Sequence, residues 1–141
     1  MKSVSEVPFN RFLGLEPGGD ETHLLRLPAS PNYLNHLGTI HAAAQLALAE
    51  ASSGEFLLRH LPRDVALAPV VRRVEAKFRN PGTGALTSQA SVPNGALDQI
   101  AADLHRRSRA FISVAVELHD ESGTHTLSAT VEWFLQKIDP T

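Results

Sequence analysis

The sequence predicts an α+β domain in which an antiparallel sheet wraps around one long central helix. Three observations carry that expectation. A nearly all-apolar run without Pro extends from Asn35 to Gly54, the composition of one long helix closely gripped by other elements, which ends near His60, before Pro62. Several other stretches show the two-residue alternation of strands with one buried face. Turn chemistry, rather than long helical crossovers, joins most of them, so one long helix among about five or six antiparallel strands is the expected layer arrangement. The chain is short enough for a single domain spanning residues 1–141.

Taken in order, Pro8 opens a short helix whose Phe9, Phe12 and Leu13 share one face, placed to plug one end of the core. Glu16-Pro17-Gly18-Gly19-Asp20 is a turn, with Thr22 to Leu27 as the second arm of a hairpin that Pro28 ends. Ser30-Pro31 reads as an N-cap followed by Pro at the first helical position, giving a turn of helix that ends near Gly38 and carries Asn35 into the main helix. Tyr33 beside it either lines a pocket or packs. From Val65 to Asn80 a half-buried strand puts Val70, Val74, Ala76 and Phe78 on one face, and Arg73, Glu75, Lys77 and Arg79 on the other. Pro81 to Gly84 turns into a strand from Ala85 to Val92. Asn94 to Arg107 is an amphipathic helix, with Leu97, Ile100, Ala101 and Leu104 at helical spacing. Two strands close the chain, with Ile112, Val114, Val116 and Leu118 facing one way and Leu127, Ala129, Val131, Trp133 and Leu135 answering them across a turn at Gly123.

The main helix is where chemistry enters. Thr39, after Gly38, is the expected N-cap, with the helix starting at Ile40 and unpartnered backbone N–H groups at His41 and Ala42. Such a helix start accommodates developing negative charge. Between Ala42 and Ala51 the only polar side chains are Gln45 and Glu50. Glu50 has two readings: a residue at the solvent end of the helix beside Ser52, Ser53 and Glu55, or a carboxylate whose pKa apolar surroundings raise and which acts as base or nucleophile. Geometry adds a constraint, because Ala42 and Glu50 lie about 12 Å apart along an ideal helix axis. One copy cannot place both around one reacting carbon, whereas two antiparallel copies related by a twofold axis can. A homodimer is therefore expected.

The run Asn35-x-x-Gly38-Thr39-x-His41-Ala42-Ala43, followed by Glu50, resembles the hotdog-fold acyl-CoA thioesterases of the phenylacetyl-CoA and 4-hydroxybenzoyl-CoA branch. Their pattern is Asn, a Gly-Thr pair, His-Gly-Gly, and an Asp or Glu nine residues after the His. Asn35, His41 and Glu50 keep that register, and Ala42 and Ala43 replace the two Gly residues. The resemblance implies the hotdog fold, an acyl-CoA or related carrier thioester as substrate, and a homodimer, with pairing of dimers into tetramers left open. It also implies an oxyanion hole at the backbone N–H of Ala42 with His41 nearby, and Glu50 of the partner chain as base or nucleophile. Asn35 would position the carbonyl or water, and Ser53, one turn beyond Glu50, would hold that carboxylate or water. Where the family often has a further polar residue this chain has Val71. The competing reading is a non-catalytic hotdog protein that binds an acyl ligand or serves as an assembly subunit.

Other classes lose support. A formal net charge of -2 argues against general nucleic-acid binding, and zero Cys removes disulfides and thiol chemistry. The seven His stand singly without ligand spacing, so no metal or cofactor is expected. No Gly-x-Ser-x-Gly or phosphate-binding Gly-rich loop occurs, nor the His and acidic arrangement of hotdog dehydratases. Arg59, Arg63, Arg72, Arg73, Lys77 and Arg79 suit either CoA phosphates or solvated surface. With no apolar run of membrane-spanning length and no signal-like start, a cytoplasmic protein without membrane contact is expected.

Overall fold

The computed structural model describes residues 1–139. A 3₁₀ turn (Val4–Glu6) and helix α1 (Pro8–Phe12) precede the short strands β1 (Glu16–Pro17) and β2 (Leu25–Leu27), and a second 3₁₀ turn (Pro31–Tyr33) leads to helix α2 (Ala42–His60). Strand β3 (Leu67–Phe78), strand β4 (Leu86–Ser91), helix α3 (Ala96–Arg107), strand β5 (Arg109–Asp120) and strand β6 (His125–Lys137) follow. The strands form one six-stranded sheet in the order β1-β2-β4-β5-β6-β3, with antiparallel neighbours throughout.

The alternation in β5 and β6 sets the core. Val114, Val116, Leu118, Leu127, Val131 and Leu135 are fully buried and pack with Leu48, Ala49 and Leu57 of α2. A polar thread runs through that apolar layer: Ser52 Oγ donates to the Leu48 carbonyl at 2.6 Å and lies 2.6 Å from Ser88 Oγ of β4, which takes the Leu25 N–H at 3.1 Å. Each buried hydroxyl thus has partners, which offsets its desolvation and fixes the helix against the strands.

Several local expectations change. Thr39 is not the cap: its hydroxyl bonds Asn35 (2.9 Å), Ile40 N–H donates to the Gly82 carbonyl (3.0 Å), and Ile40 forms a β-bridge with Leu34 instead of entering the helix. The helix begins two residues later, at Ala42, with His41 as N-cap. Phe9 and Phe12 do not plug the core, being 60% and 84% exposed, whereas Val4 and Asn10 are buried there. Tyr33 packs: its hydroxyl donates to the Leu13 carbonyl. Most consequential is β3, expected to be half-buried. It forms an edge of the sheet, paired only with β6, and from Arg72 to Phe78 every residue is exposed. A register shift between Val71 and Arg73 also parts the expected face: Val74, Ala76 and Phe78 stand opposite Val131, Ala129 and Leu127, whereas Val70 stands opposite Phe134 and so on the other face. Val70, Val74 and Phe78 are 52%, 42% and 47% exposed, so a long strand offers apolar side chains and unpaired backbone groups together.

Candidate functional site

The loop before α2 is built around Asn35. Its Oδ1 accepts from the N–H groups of Leu37 (2.9 Å) and Thr39 (3.1 Å), its Nδ2 donates to Thr39 Oγ1, and its own N–H donates to the Thr39 carbonyl at 2.8 Å. Asn35 thus shapes the turn that delivers the helix start, with one of its two Nδ2 hydrogens engaged in that turn. His41 then caps α2, its Nδ1 accepting from Ala43 N–H at 2.9 Å. That bond places the proton of a neutral ring on Nε2, on an exposed side chain. His41 N–H is taken by the Tyr33 carbonyl at 2.7 Å, and Ala44 and Gln45 N–H both bond the His41 carbonyl. Among the described residues only Ala42 N–H in this first turn has no partner. Ala42 and Ala43 are exposed, so the free Ala42 N–H stands at the positive end of a 19-residue helix among exposed residues.

Glu50 lies in the middle of α2, which runs on to His60, so it is not at the solvent end. The sheet covers the side of the helix bearing Gln45, Leu48, Ala49 and Ser52, and leaves half-buried a stripe of Leu46, Glu50, Gly54 and Leu58. Burial raises the Glu50 pKa above its ordinary value, with no countering partner. Its carboxylate opens onto an apolar groove of about 950 Å³ between the second half of α2, the start of β3 and the N-terminal segment. Glu50, Asn10 and Arg63 are its polar lining residues. That size and polarity match a small-molecule site with a few placed polar groups.

Ser53 does not serve the carboxylate. It is fully buried, its hydroxyl donates to the Glu50 backbone carbonyl at 2.7 Å, and it accepts Trp133 Nε1–H at 2.9 Å. The single hydroxyl proton is therefore engaged, and Ser53 anchors Trp133 against the helix. Of the five residues singled out from sequence, His41, Ala42 and Asn35 meet at the helix start, while Glu50 stands about 12 Å down the axis in the same chain.

The sequence reading missed Glu55. It is only 2% exposed and accepts from Ser3 Oγ (3.0 Å) and Val4 N–H (3.1 Å), with Arg59 at 3.6 Å. It ties the N-terminal segment across α2 as one wall of the groove. The findable signal was Ser3-Val4-Ser5-Glu6, a capping box that the structure forms, announcing an ordered N-terminus.

Arg73 pairs with Glu75, Arg79 donates to Ser128 Oγ and Arg59 is held by Glu55, whereas Arg63, Arg72 and Lys77 have no ion pair among the described residues. On β5 and β6, Ser128 Oγ donates to Glu117 (2.5 Å) and His125 Nε2 lies 2.6 Å from the same carboxylate oxygen. Serine and carboxylate meet the same ring nitrogen, so this is no nucleophile–base–acid relay, which uses both nitrogens. Among the described residues no group of His, Asp or Glu is arranged to hold a metal ion, and no helix is long and apolar enough to cross a membrane.

A family model described as Domain of unknown function (DUF4442) matches residues 10–135. No curated protein matches the sequence. Among solved structures, a Pseudomonas aeruginosa protein of unknown function, called a probable thioesterase, is 24% identical with a TM-score of 0.81, covering 96% of this chain and 91% of that one. A Haemophilus influenzae thioesterase is 17% identical with a TM-score of 0.72, covering 95% and 86%. A Bacillus halodurans protein solved with CoA is 20% identical with a TM-score of 0.68, covering 90% and 74%. At these identities the likeness is one of fold, and the fold is the hotdog.

Proposed function

The chain belongs to the DUF4442 family, and from its hotdog fold and the groove at Glu50 we propose that it hydrolyses thioesters of coenzyme A or a related acyl carrier. The observation that carries the reading is the pairing of an unpartnered helix-start N–H at Ala42 with a partly desolvated, unpaired carboxylate at Glu50. The similarity to a probable thioesterase, a thioesterase and a protein solved with CoA supports the substrate class.

The working site is shared by two copies. The exposed β3 edge, with Val70, Val74 and Phe78, is the surface through which two chains would pair strand to strand about a twofold axis. That pairing sets the α2 helices antiparallel and brings Ala42 of one toward Glu50 of the other. Ala42 N–H and His41 Nε2–H would then polarise the thioester carbonyl and hold the oxyanion. Glu50 takes the proton of a water as that water attacks the carbonyl carbon, and returns it to the thiolate as the C–S bond breaks. Direct attack by the carboxylate, through a mixed anhydride, is the other route its position allows. Cytoplasmic location, where acyl-CoA is formed, belongs to the same proposal, as does one domain over the whole chain.

Ala42 and Ala43, in place of two Gly, lie outside the groove lining of their own chain. The deciding experiment is Glu50→Gln, which keeps shape and removes the base: thiol release from an acyl-CoA panel should fall about a hundredfold or more. Hydrolysis at the parent rate by a folded Gln variant refutes the mechanism.

A further inference from the structure

The groove runs along α2 from Glu50 past Gly54 and Leu58 to Leu61, so its floor extends about 6, 12 and 16 Å from the carboxylate-bearing residue to these three positions. Trp133 and Val71 form one wall, and Val4 of the tethered N-terminal segment faces them.

Gly54 is the unexplained residue on that floor. It lies inside a 19-residue helix with no positive φ, where Gly disfavours the helix relative to Ala. Packing does not require it either: a Cβ there would stand 3.5 Å from the Trp133 ring and 3.7 Å from Val4, ordinary contact distances. A side chain at 54 longer than a methyl would therefore fill the width between α2 and the Trp133–Val4 wall, one turn beyond Glu50.

Resting on the thioesterase reading, we propose that the groove holds a straight aliphatic acyl chain of up to roughly a dozen carbons, and that Gly54 is the specificity-determining position that admits it. An extended alkyl chain advances about 1.25 Å per carbon, from bonds of about 1.5 Å at near-tetrahedral angles. The floor from Glu50 to Leu61 therefore matches about thirteen carbons. A short or aromatic acyl group would leave the far half of this apolar channel without a partner.

The test uses the full chain with acetyl-, butyryl-, octanoyl- and dodecanoyl-CoA, reading kcat/KM by thiol release. The parent should prefer octanoyl and dodecanoyl over acetyl. Gly54→Leu should lower the octanoyl-to-acetyl ratio of kcat/KM by roughly tenfold or more. Leu58→Trp, one turn further on, should lower the dodecanoyl-to-octanoyl ratio while sparing the octanoyl-to-acetyl ratio. These two substitutions act as rulers at different depths, and circular dichroism checks that each folds. Unchanged ratios in both folded variants overturn the proposal. Trp133, the only Trp of the chain, lines the groove and gives a readout independent of turnover. A parent that hydrolyses nothing, yet whose emission shifts with dodecanoyl-CoA more than with acetyl-CoA and loses that difference in Gly54→Leu, refutes hydrolysis and upholds the acyl groove. Emission indifferent to chain length, in such a parent, overturns the groove.

Discussion

Ala42→Pro isolates one backbone hydrogen. In this chain Ala42 is the first residue of α2, a position where Pro is tolerated because its missing N–H has no intrahelical partner. The preceding residue already has what Pro demands, since His41 sits at φ -60° and ψ 139°, in the extended region. The cap also survives, because His41 Nδ1 accepts from Ala43 N–H and the His41 carbonyl from Ala44 and Gln45. No hydrogen bond of the fold is lost, so stability should change by less than about 1 kcal/mol. What disappears is the one N–H of that turn left free for substrate. Removing a single oxyanion donor typically lowers kcat by about a hundred- to a thousandfold, about 2.7 to 4 kcal/mol of transition-state stabilisation. The assay pairs thermal unfolding with thiol release from the best acyl-CoA. An unchanged melting temperature with turnover down a hundredfold is expected. A folded Pro variant with parental kcat would place the oxyanion hole elsewhere and break the argument.

Other outcomes follow from the same geometry. Glu50 has a raised pKa in the folded chain, so between its ordinary value and the raised one the native state binds the extra proton, and stability falls as pH rises through that window; Glu50→Gln should remove that slope in unfolding measured from pH 4 to 8, whereas an unchanged slope would assign it to another group. Because hydrolysis needs the ionised carboxylate, the rising limb of kcat/KM against pH should sit above the ordinary carboxylate range, and a limb at the usual position would show Glu50 to be well solvated during turnover. Mixed and reannealed, nearly inactive Ala42→Pro and Glu50→Ala homodimers should recover roughly a quarter of parental activity, since about half the dimers are mixed and half of their sites are intact; exchange confirmed by native mass spectrometry without recovery would sink the shared site. Gln45 is 4% exposed and its Oε1 has no partner among the described residues, so Gln45→Met should be neutral or stabilising, and a loss above about 2 kcal/mol in chemical denaturation would reveal a partner for that oxygen.

The parts of this molecule that were legible in the sequence are those where one physical signal dominates. The two-residue alternation of Ile112 to Leu118 and of Leu127 to Leu135 placed both central strands and their buried faces, because a strand covered on one side leaves no other pattern. The helix could be read from its length, but not its first turn: Thr39 is a good cap by residue type, and only the long-range pairing of Ile40 with Gly82 shows why the chain stays extended there. The same alternation misled at β3. An edge strand with uncovered apolar side chains has the sequence of one whose apolar face is covered, and only the sheet order distinguishes them.

That ambiguity bears directly on the site. The helix-start N–H and Glu50 were both found from spacing, yet within one chain they lie about two turns apart and cannot meet. The structure adds two half-finished surfaces: a helix stripe through Glu50 that the sheet does not cover, and an edge strand with apolar side chains and no neighbour. On the proposed dimer, a second copy of the chain would satisfy both at once. Pairing β3 with its twin completes the hydrogen bonding of the edge and covers Val70, Val74 and Phe78. The same twofold axis would close the open side of the groove. Folding and function then have a common requirement, so substitutions that charge the β3 edge, such as Val74→Asp, should lower activity in step with dimer formation, even though Val74 lies outside the groove lining.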